Sequence, residues 1–503
     1  MADTIDSNVT GARIAEELTP GVLPVTPVWD PAEPNSYDDF GGQLTTKART
    51  PINPSRQRKK GTPVDLDASG GYNQDFTETG LLKLMQGFLF ADALVPGDTK
   101  PINDPTAQVT ITSLANIDSS FNAAAGLDIF ATDDIVLVSG CAIAANNGIK
   151  TVASAVAGKV TLDQAVTDEV TPPSSVRIQK IGMQMTDLSV VVSGSEITLV
   201  TAGAVDFTTL PIVEGSWIYI GSDDNAFVAA GNQCFARVDV ITATVMTLGK
   251  TSKQMVADAG PVAVDIMFPT SIRNEPDPNL IKRRTYQIER TVGNDGNGVM
   301  SEYLVNSLAN ELTFNIPTAD FLTADLAFIS GDNEQRTGLD GVKTGTRPTL
   351  VTEDAYNTSS DVSRFRLSTV VAGNPFPAAL FGYATEGTIT VTNNVTPNKA
   401  IGVLGAFAMT AGTFDVGGNL TAYFSQMEAV QAVRNNADVT LDLILNKNNA
   451  GWVFDVPLLA LGDGRLNVEA NSPITIPLET TAAESDLGHT LYLARFPYLP
   501  DIA

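Results

Sequence analysis

The sequence is short of the residues that carry most enzymatic chemistry. It holds one histidine, two cysteines and 31 Lys+Arg among 503 residues, against 57 Asp+Glu. Cys141 and Cys234 are too few for a disulfide framework and form no CxxC metal pair. Stability must then come from packing and association. His489 lies in LGHTLYLARF, where alternation places it at a strand end, and without a second His or Cys beside it neither a metal site nor a triad is expected. No GxSxG elbow, GxxxxGK[ST] phosphate loop or HExxH motif occurs. Asp38-Asp39, Asp133-Asp134 and Asp223-Asp224 stand beside Gly or Asn in turn-like contexts, where Asx side chains stabilise the turn itself. A carbohydrate-active enzyme would need positioned carboxylates; these pairs read as turns. No enzyme and no cofactor are expected.

Positive charge is scarce as well. The formal charge of -26 has the wrong sign for gripping a phosphate backbone through counterion release. Stable binding to nucleic acid or to an anionic membrane is excluded. The most apolar stretch, Leu81 to Val95, is broken by Lys83 and Asp92 and falls short of the ~18 apolar residues of a spanning helix. The opening MADTIDSNVTGARIAEEL has neither a basic start nor an apolar run, so no secretory or transit signal is read and synthesis in a cytoplasm is expected.

What is present describes a large β-rich chain. With 43% hydrophobic and 17% charged residues it can bury a substantial core, and its length allows about three domains. Residues 1–35 carry Pro20, Pro24, Pro27, Pro31 and Pro34, whose fixed φ and missing N–H groups predict an extended arm. From Lys47 to Lys60 the run KARTPINPSRQRKK holds six cations and no acid. A second basic cluster is Lys282, Arg283 and Arg284. Such inversions of the global charge balance mark Lys47, Arg49, Arg56, Arg58, Lys59, Lys60, Lys282, Arg283 and Arg284 as candidate inter-subunit contacts. Between Phe76 and Leu94 the apolar spacing predicts a helix, with Thr77 or Thr79 as N-cap.

Beyond Val95 the texture changes to short β-branched runs separated by turn residues. Two stretches match: ITSL at Ile111 with ITLV at Ile197, Phe121 with Phe207, DIVLVSG with SWIYIGS, and TVASAVAGKVTL with RVDVITATVMTL. The offset is 86 residues at both ends and 82 in the middle, which predicts a duplicated small β domain. After Asn274-Glu275-Pro276 the strands resume in IKRRTYQIERTV, ELTFNIP, TITVTNN, NLTAYFS and DVTLDLILN, and Asn448-Asn449 predicts a hairpin turn into WVFDVP. MEAVQAVRNN reads as a short helix. GNDGNG at 293–298, with Glu302 after it, has the oxygen-rich glycine spacing of a Ca²⁺ loop without the full ligand set, so a plain hairpin turn is the stronger reading.

Taken in order, the arm, the Arg56-Gln57-Arg58 motif, the Gly70-Gly71 turn, the helix FTETGLLKLMQGFL and the ending GTFDVGGNLTAYF, GWVFDVPLLALGDG and HTLYLARF resemble the major tail tube protein of long, flexible-tailed (siphovirus-type) bacteriophages. The resemblance covers about 12–95 and 276–503. It implies a mainly β fold: a tail-tube-type β-sandwich core (36–95 and 276–503) with a flanking α-helix, preceded by the arm 1–35. Two inserted small β domains would fill 96–185 and 186–275. It also implies a homohexamer whose rings stack into a conduit for DNA ejection, in a virion tail assembled in the host bacterial cytoplasm. Partners so implied are other copies of the chain, a tape measure protein, a tail terminator and distal tail proteins, with viral DNA passing through unbound. Because helix and strand on either side of the insertion belong to the core, the insertion should project outward and be dispensable for assembly. The alternative is a surface-displayed β-rich binding or adhesion protein.

Overall fold

The computed structural model describes residues 4–52, 54–97 and 109–501; the start of the insertion, 98–108, lies outside the described residues. The fold is mainly β, with 28 strands and two α-helices among those residues. The chain opens with β1 (Thr10–Glu16), β2 (Asp30–Ala32), β3 (Pro34–Lys47) and β4 (Thr62–Asp75), followed by helix α1 (Leu82–Leu89). Within the segment read as an arm, β1 therefore pairs along its whole length with a later strand, and β2 pairs β1 at the sheet edge, where Pro31 costs no ladder bond. Trp29 is fully buried and donates Nε1–H to the Thr344 carbonyl at 3.1 Å.

The helix is shorter than its apolar spacing predicts. Phe76 still belongs to the sheet: its N–H bonds the Leu322 carbonyl, and its ring lies 5.5–5.7 Å from those of Phe314, Tyr356, Trp452 and Phe454. Thr77 closes the turn before the helix by accepting the Gly80 N–H and caps nothing. Phe90, left-handed at φ 49°, ends it. Gly87 is needed because any Cβ there would meet the Tyr286 hydroxyl at 2.4 Å and its ring at 2.6 Å.

The inserted region forms a sheet of its own. Its strands are β5 (Ile111–Ala115), β6 (Ser120–Ala123), β7 (Asp134–Ser139), β8 (Gly148–Val156), β9 (Lys159–Leu162) and β10 (Arg177–Ser193). They continue as β11 (Glu196–Thr201), β12 (Trp217–Ile220), β13 (Cys234–Ile241), β14 (Val245–Thr251) and β15 (Asp258–Met267). The order β5-β6-β9-β8-β7-β10 recurs as β10-β11-β14-β13-β12-β15, with β10 shared between the two. Registers repeat with it. Val152↔Leu162, Ser154↔Thr161 and Ala155↔Val160 reappear 86 residues on as Val238↔Leu248, Val240↔Thr247 and Ile241↔Met246. Buried Asn146 and Asn232 also play one role, accepting the N–H of Thr167 and Val256 at 2.7 and 2.8 Å. The expected matches of Ile111 with Ile197 and of Phe121 with Phe207 do not hold. Ile111 lies on β5, whose place β10 takes, whereas Ile197 lies on β11, which takes the place of β6. Phe121 faces Val160 from β6, the place Leu199 takes opposite Met246, while Phe207 sits in a 3-10 turn like that of Leu127.

The last strands are β16 (Thr270–Arg273), β17 (Thr285–Asn294), β18 (Val299–Ile316), β19 (Thr323–Arg336), β20 (Val362–Thr369), β21 (Ala384–Thr392), β22 (Thr396–Lys399) and β23 (Ala406–Thr410). After β24 (Asp415–Tyr423) and α2 (Glu428–Arg434) come β25 (Val439–Lys447), β26 (Ala450–Asp463), β27 (Thr475–Ala482) and β28 (Tyr492–Phe496). Long β18 organises them: β17 pairs its first half and β21 its second, while β19 runs along its other side. From β21 the sheet continues through β24, β27, β26 and β28 to β16. Asn448 and Asn449 both have positive φ, 51° and 58°, as the two-residue turn joining β25 to β26 requires.

β25, β26 and β28 are buried on both faces. Leu441, Leu443, Trp452, Phe454 and Leu493 enter the main core, whereas Ile444, Val453, Tyr492, Ala494 and Phe496 point the other way and pack on Trp217, Tyr219 and Phe235 of the inserted sheet. This explains the near-continuous apolar runs LILN and WVFDV, which lack a solvent face. Phe76→Ala removes the ring on which four aromatics converge, and should cost about 3–5 kcal/mol in urea unfolding.

Candidate assembly surfaces

The two basic clusters have different fates. β4 pairs β19 only from Ala68 to Asp75, while Thr62–Asp67 pair β3 alone, so the β3–β4 hairpin runs on past the sheet. Lys47, Arg49, Arg56, Arg58, Lys59 and Lys60 are all exposed around its tip. Among the described residues, no ion pair uses any of them. Behind the tip, Lys399 of β22 reaches Asp65 and Asp67 at 2.6 Å each, which braces the β22–β23 hairpin against the first. The hydrogen bond from Lys399 holds the Asp65 carboxyl below its usual range.

Lys282, Arg283 and Arg284 are instead engaged within the chain. Lys282 pairs Asp92 while staying half-exposed. Arg283 donates to the Met409 carbonyl at 2.7 Å. Arg284 is buried, pairs Asp92 and Glu16, and donates to the Ala91 carbonyl at 2.8 Å. It satisfies carbonyls left open where α1 ends, as a cation at a helix C-terminus does. A buried guanidinium with these partners has no face to offer a neighbour.

A third set of charges lies at the seam between inserted sheet and core. Asp442 and Asp455 point outward from β25 and β26, fully buried. Lys250 Nζ lies 2.5 Å from Asp442 and donates to Thr440 Oγ1 at 2.9 Å; Arg364 closes on Asp442 from the core side. Arg237 reaches Asp455 at 3.2 Å. Burial works against the Asp442 carboxylate, but Lys250 and Arg364 outweigh it and hold its pKa below the usual range. His489 packs under Gly215 of the inserted region, and burial pushes its pKa down to about 4.

None of these aspartates was singled out in the sequence. The signal available was a lone Asp inside each of two otherwise apolar strands, in a place where an unpaired carboxylate is prohibitive. The Ca²⁺ reading of 293–298 finds no support in the geometry. Asp295 accepts from the Asn297 N–H and Thr337, closing the β17–β18 hairpin, while Glu302 turns back to Arg290 and Asn333. Among the described residues no three His, Cys, Asp or Glu side chains gather as metal ligands, and no helix is long and apolar enough to cross a membrane.

The named strands pair antiparallel throughout, and the charged β3–β4 hairpin projects from them. A family model described as phage tail tube protein matches residues 7–482, nearly the whole chain and the inserted region with it. The chain belongs to the phage tail tube protein family, structural components of the virion tail that self-assemble into a tube. No curated protein matches it in sequence.

The seam generates two expectations. β16 lies before Pro276 yet pairs β28, and Leu94 bridges Ser271, so joining Val95 to Pro276 strips an edge strand, uncovers Tyr492 and Phe496, and leaves Asp455 without its cation. Such a shortened chain should be insoluble or bind a hydrophobic dye, measured by fluorescence; a soluble chain with an unchanged melting curve would contradict the seam's role. Second, His489 and Asp442 both have depressed folded pKa values, so their contributions are full at neutral pH and lost on acidification. The His489 part fades from pH 6.5 toward 4, worth at most about 3 kcal/mol, and the Asp442 part only below the usual carboxylate range. The urea midpoint should fall between pH 6.5 and 4, and His489→Gln should flatten that slope.

Proposed function

We propose that this chain is the major subunit of the tail tube: six copies close into a ring, and rings stack into the conduit through which virion DNA leaves. The observation that carries this reading is the β3–β4 hairpin, which runs beyond its sheet and presents cations that no acid of the chain engages among the described residues. A tip of that kind on a protein of charge -26 has abundant acidic surface to meet on another copy. The same excess suits the bore. An acidic wall repels phosphates over about one Debye length, ~8–10 Å, so DNA slides without being held.

In this reading 36–95 and 276–503 form the ring-building core, with β1 of the N-terminal segment added at its edge, and the inserted sheet sits on the outer surface. Only that side leaves the channel open. Assembly takes place in the host bacterial cytoplasm, and the tube ends meet a terminator, distal tail proteins and a tape measure protein within the bore.

Electron microscopy of concentrated protein tests the reading, with stacked rings or hollow tubules expected and dispersed single particles against it. Glu at Arg56, Arg58, Lys59 and Lys60 together should shorten or abolish tubes at an unchanged melting temperature. Each exposed pair is worth only ~0.2–1 kcal/mol, but it recurs at every subunit of a ring. Tubes should retain no double-stranded DNA at physiological salt.

A further inference from the structure

The core sheet has two ends along its strands, and both expose apolar side chains. Cross-strand registers tell the ends apart. Thr392, ending β21, lies opposite Glu311; Glu311 lies opposite Ala327, and Ala327 opposite Gly71, from which β4 leads back to the basic tip. The β22–β23 hairpin therefore leaves the sheet at the same end as that tip. Its turn and the first two residues of β23, together 400–407, read AIGVLGAF. Ile401 is fully exposed, and Val403, Leu404 and Phe407 are each about half exposed. A braced hairpin ending in four uncovered apolar side chains is an interaction surface in waiting.

At the opposite end the β18–β19 turn, the start of β21, the end of β24 and the start of β27 lie side by side, through Ile316↔Gly387, Ala384↔Ala422 and Tyr423↔Thr475. Here Phe321, Tyr383, Tyr423, Met427 and Ile474 are exposed. Asp320 adjoins Phe321, Glu428 adjoins Met427 and Glu386 faces Thr421, and no ion pair among the described residues involves any of the three. One end thus offers apolar residues beside six cations, and the other offers apolar residues beside acids, with exposed Arg434 and Arg465 further along the same edge. Complementarity between opposite ends of one chain gives a heterologous contact, which repeats from copy to copy without closing.

We propose that segment 400–407 of one copy seats on the patch of Phe321, Tyr383, Tyr423, Met427 and Ile474 of a copy in the next ring. The occupant is a second copy of this chain because both halves of the contact, apolar and charged, are found on it. This inference rests on the stacked-ring reading and adds the apolar seat to it.

Paired cysteines test it in the full chain. Native Cys141 and Cys234 are buried, which keeps the background low. Val403→Cys with Tyr423→Cys, assembled and then oxidised, should give a ladder of covalent multimers on a non-reducing gel, while either substitution alone gives none. Tubes visible by electron microscopy without a ladder overturn the seat and leave the stacked-ring reading standing. Val403→Cys dimers from the single variant would put two loops face to face and also overturn it. Wild-type protein that forms no rings or tubes sinks the reading beneath. As a second arm, Ile401→Asp with Phe407→Asp should leave circular dichroism unchanged, permit single rings and abolish tubes; tubes of normal length overturn the proposal.

Discussion

Asp442 and Asp455 sit on strands with no solvent on either side, and the attachment of the inserted sheet depends on how those two charges are met. A carboxylate taken out of water costs several kcal/mol, recovered only by close, well-oriented cations. Lys250 and Arg237 supply them from the inserted sheet, with Arg364 helping from the core. Burial alone would push Lys250 toward its neutral form, but with two cations closing on Asp442 the ionised pair is the consistent state. The aromatic contacts of Trp217, Tyr219 and Phe235 then complete a seam that is apolar around a charged centre. A loosely tethered domain would need neither feature.

That seam changes what an insertion means here. Its chain termini do enter and leave near each other, as Leu94 bridging Ser271 shows. Adjacent ends are compatible with a removable appendage, but the core face carrying Ile444, Val453, Tyr492 and Phe496 is buried beneath the inserted sheet. An apolar isostere of a buried ion pair packs at least as stably, so what the pairs add is orientation. The inserted sheet is thereby held in one pose.

Local signals in the sequence survived well. Asn448-Asn449 specified its hairpin because consecutive positive φ values suit Asn, and MEAVQAVRNN became α2 as its spacing required. The 86-residue offset holds register for register between β8–β9 and β13–β14, but not for Ile111 with Ile197 or Phe121 with Phe207, which lie on different elements of the repeat. Non-local facts were invisible. Phe76 fits a helical stripe as well as a sheet core, and only the aromatics of β18 and β26 decide between them. Lys282 and Arg284 read alike in sequence but diverge in burial, because α1 delivers its open carbonyls to one side only. Arg237 and Asp455 are 218 residues apart, beyond any pattern a single sequence displays.

The charge of -26 is best understood through where its exceptions go. Cations on the chain include those consumed by folding, such as Arg284, Arg237 and Lys250, and the six gathered at the β3–β4 tip, while Lys253, Arg434 and Arg465 stand singly exposed elsewhere. Folding therefore removes part of the positive charge from the surface, and the largest exposed group of cations stands at one end of the sheet. Two such molecules repel over most orientations and attract only when a tip meets an acidic end. Screening limits that attraction to about a Debye length, which means it can orient copies but adds little holding strength once they touch. Holding then has to come from apolar burial near the same ends, and the exposed side chains of segment 400–407 stand beside the basic tip, where orientation would deliver them.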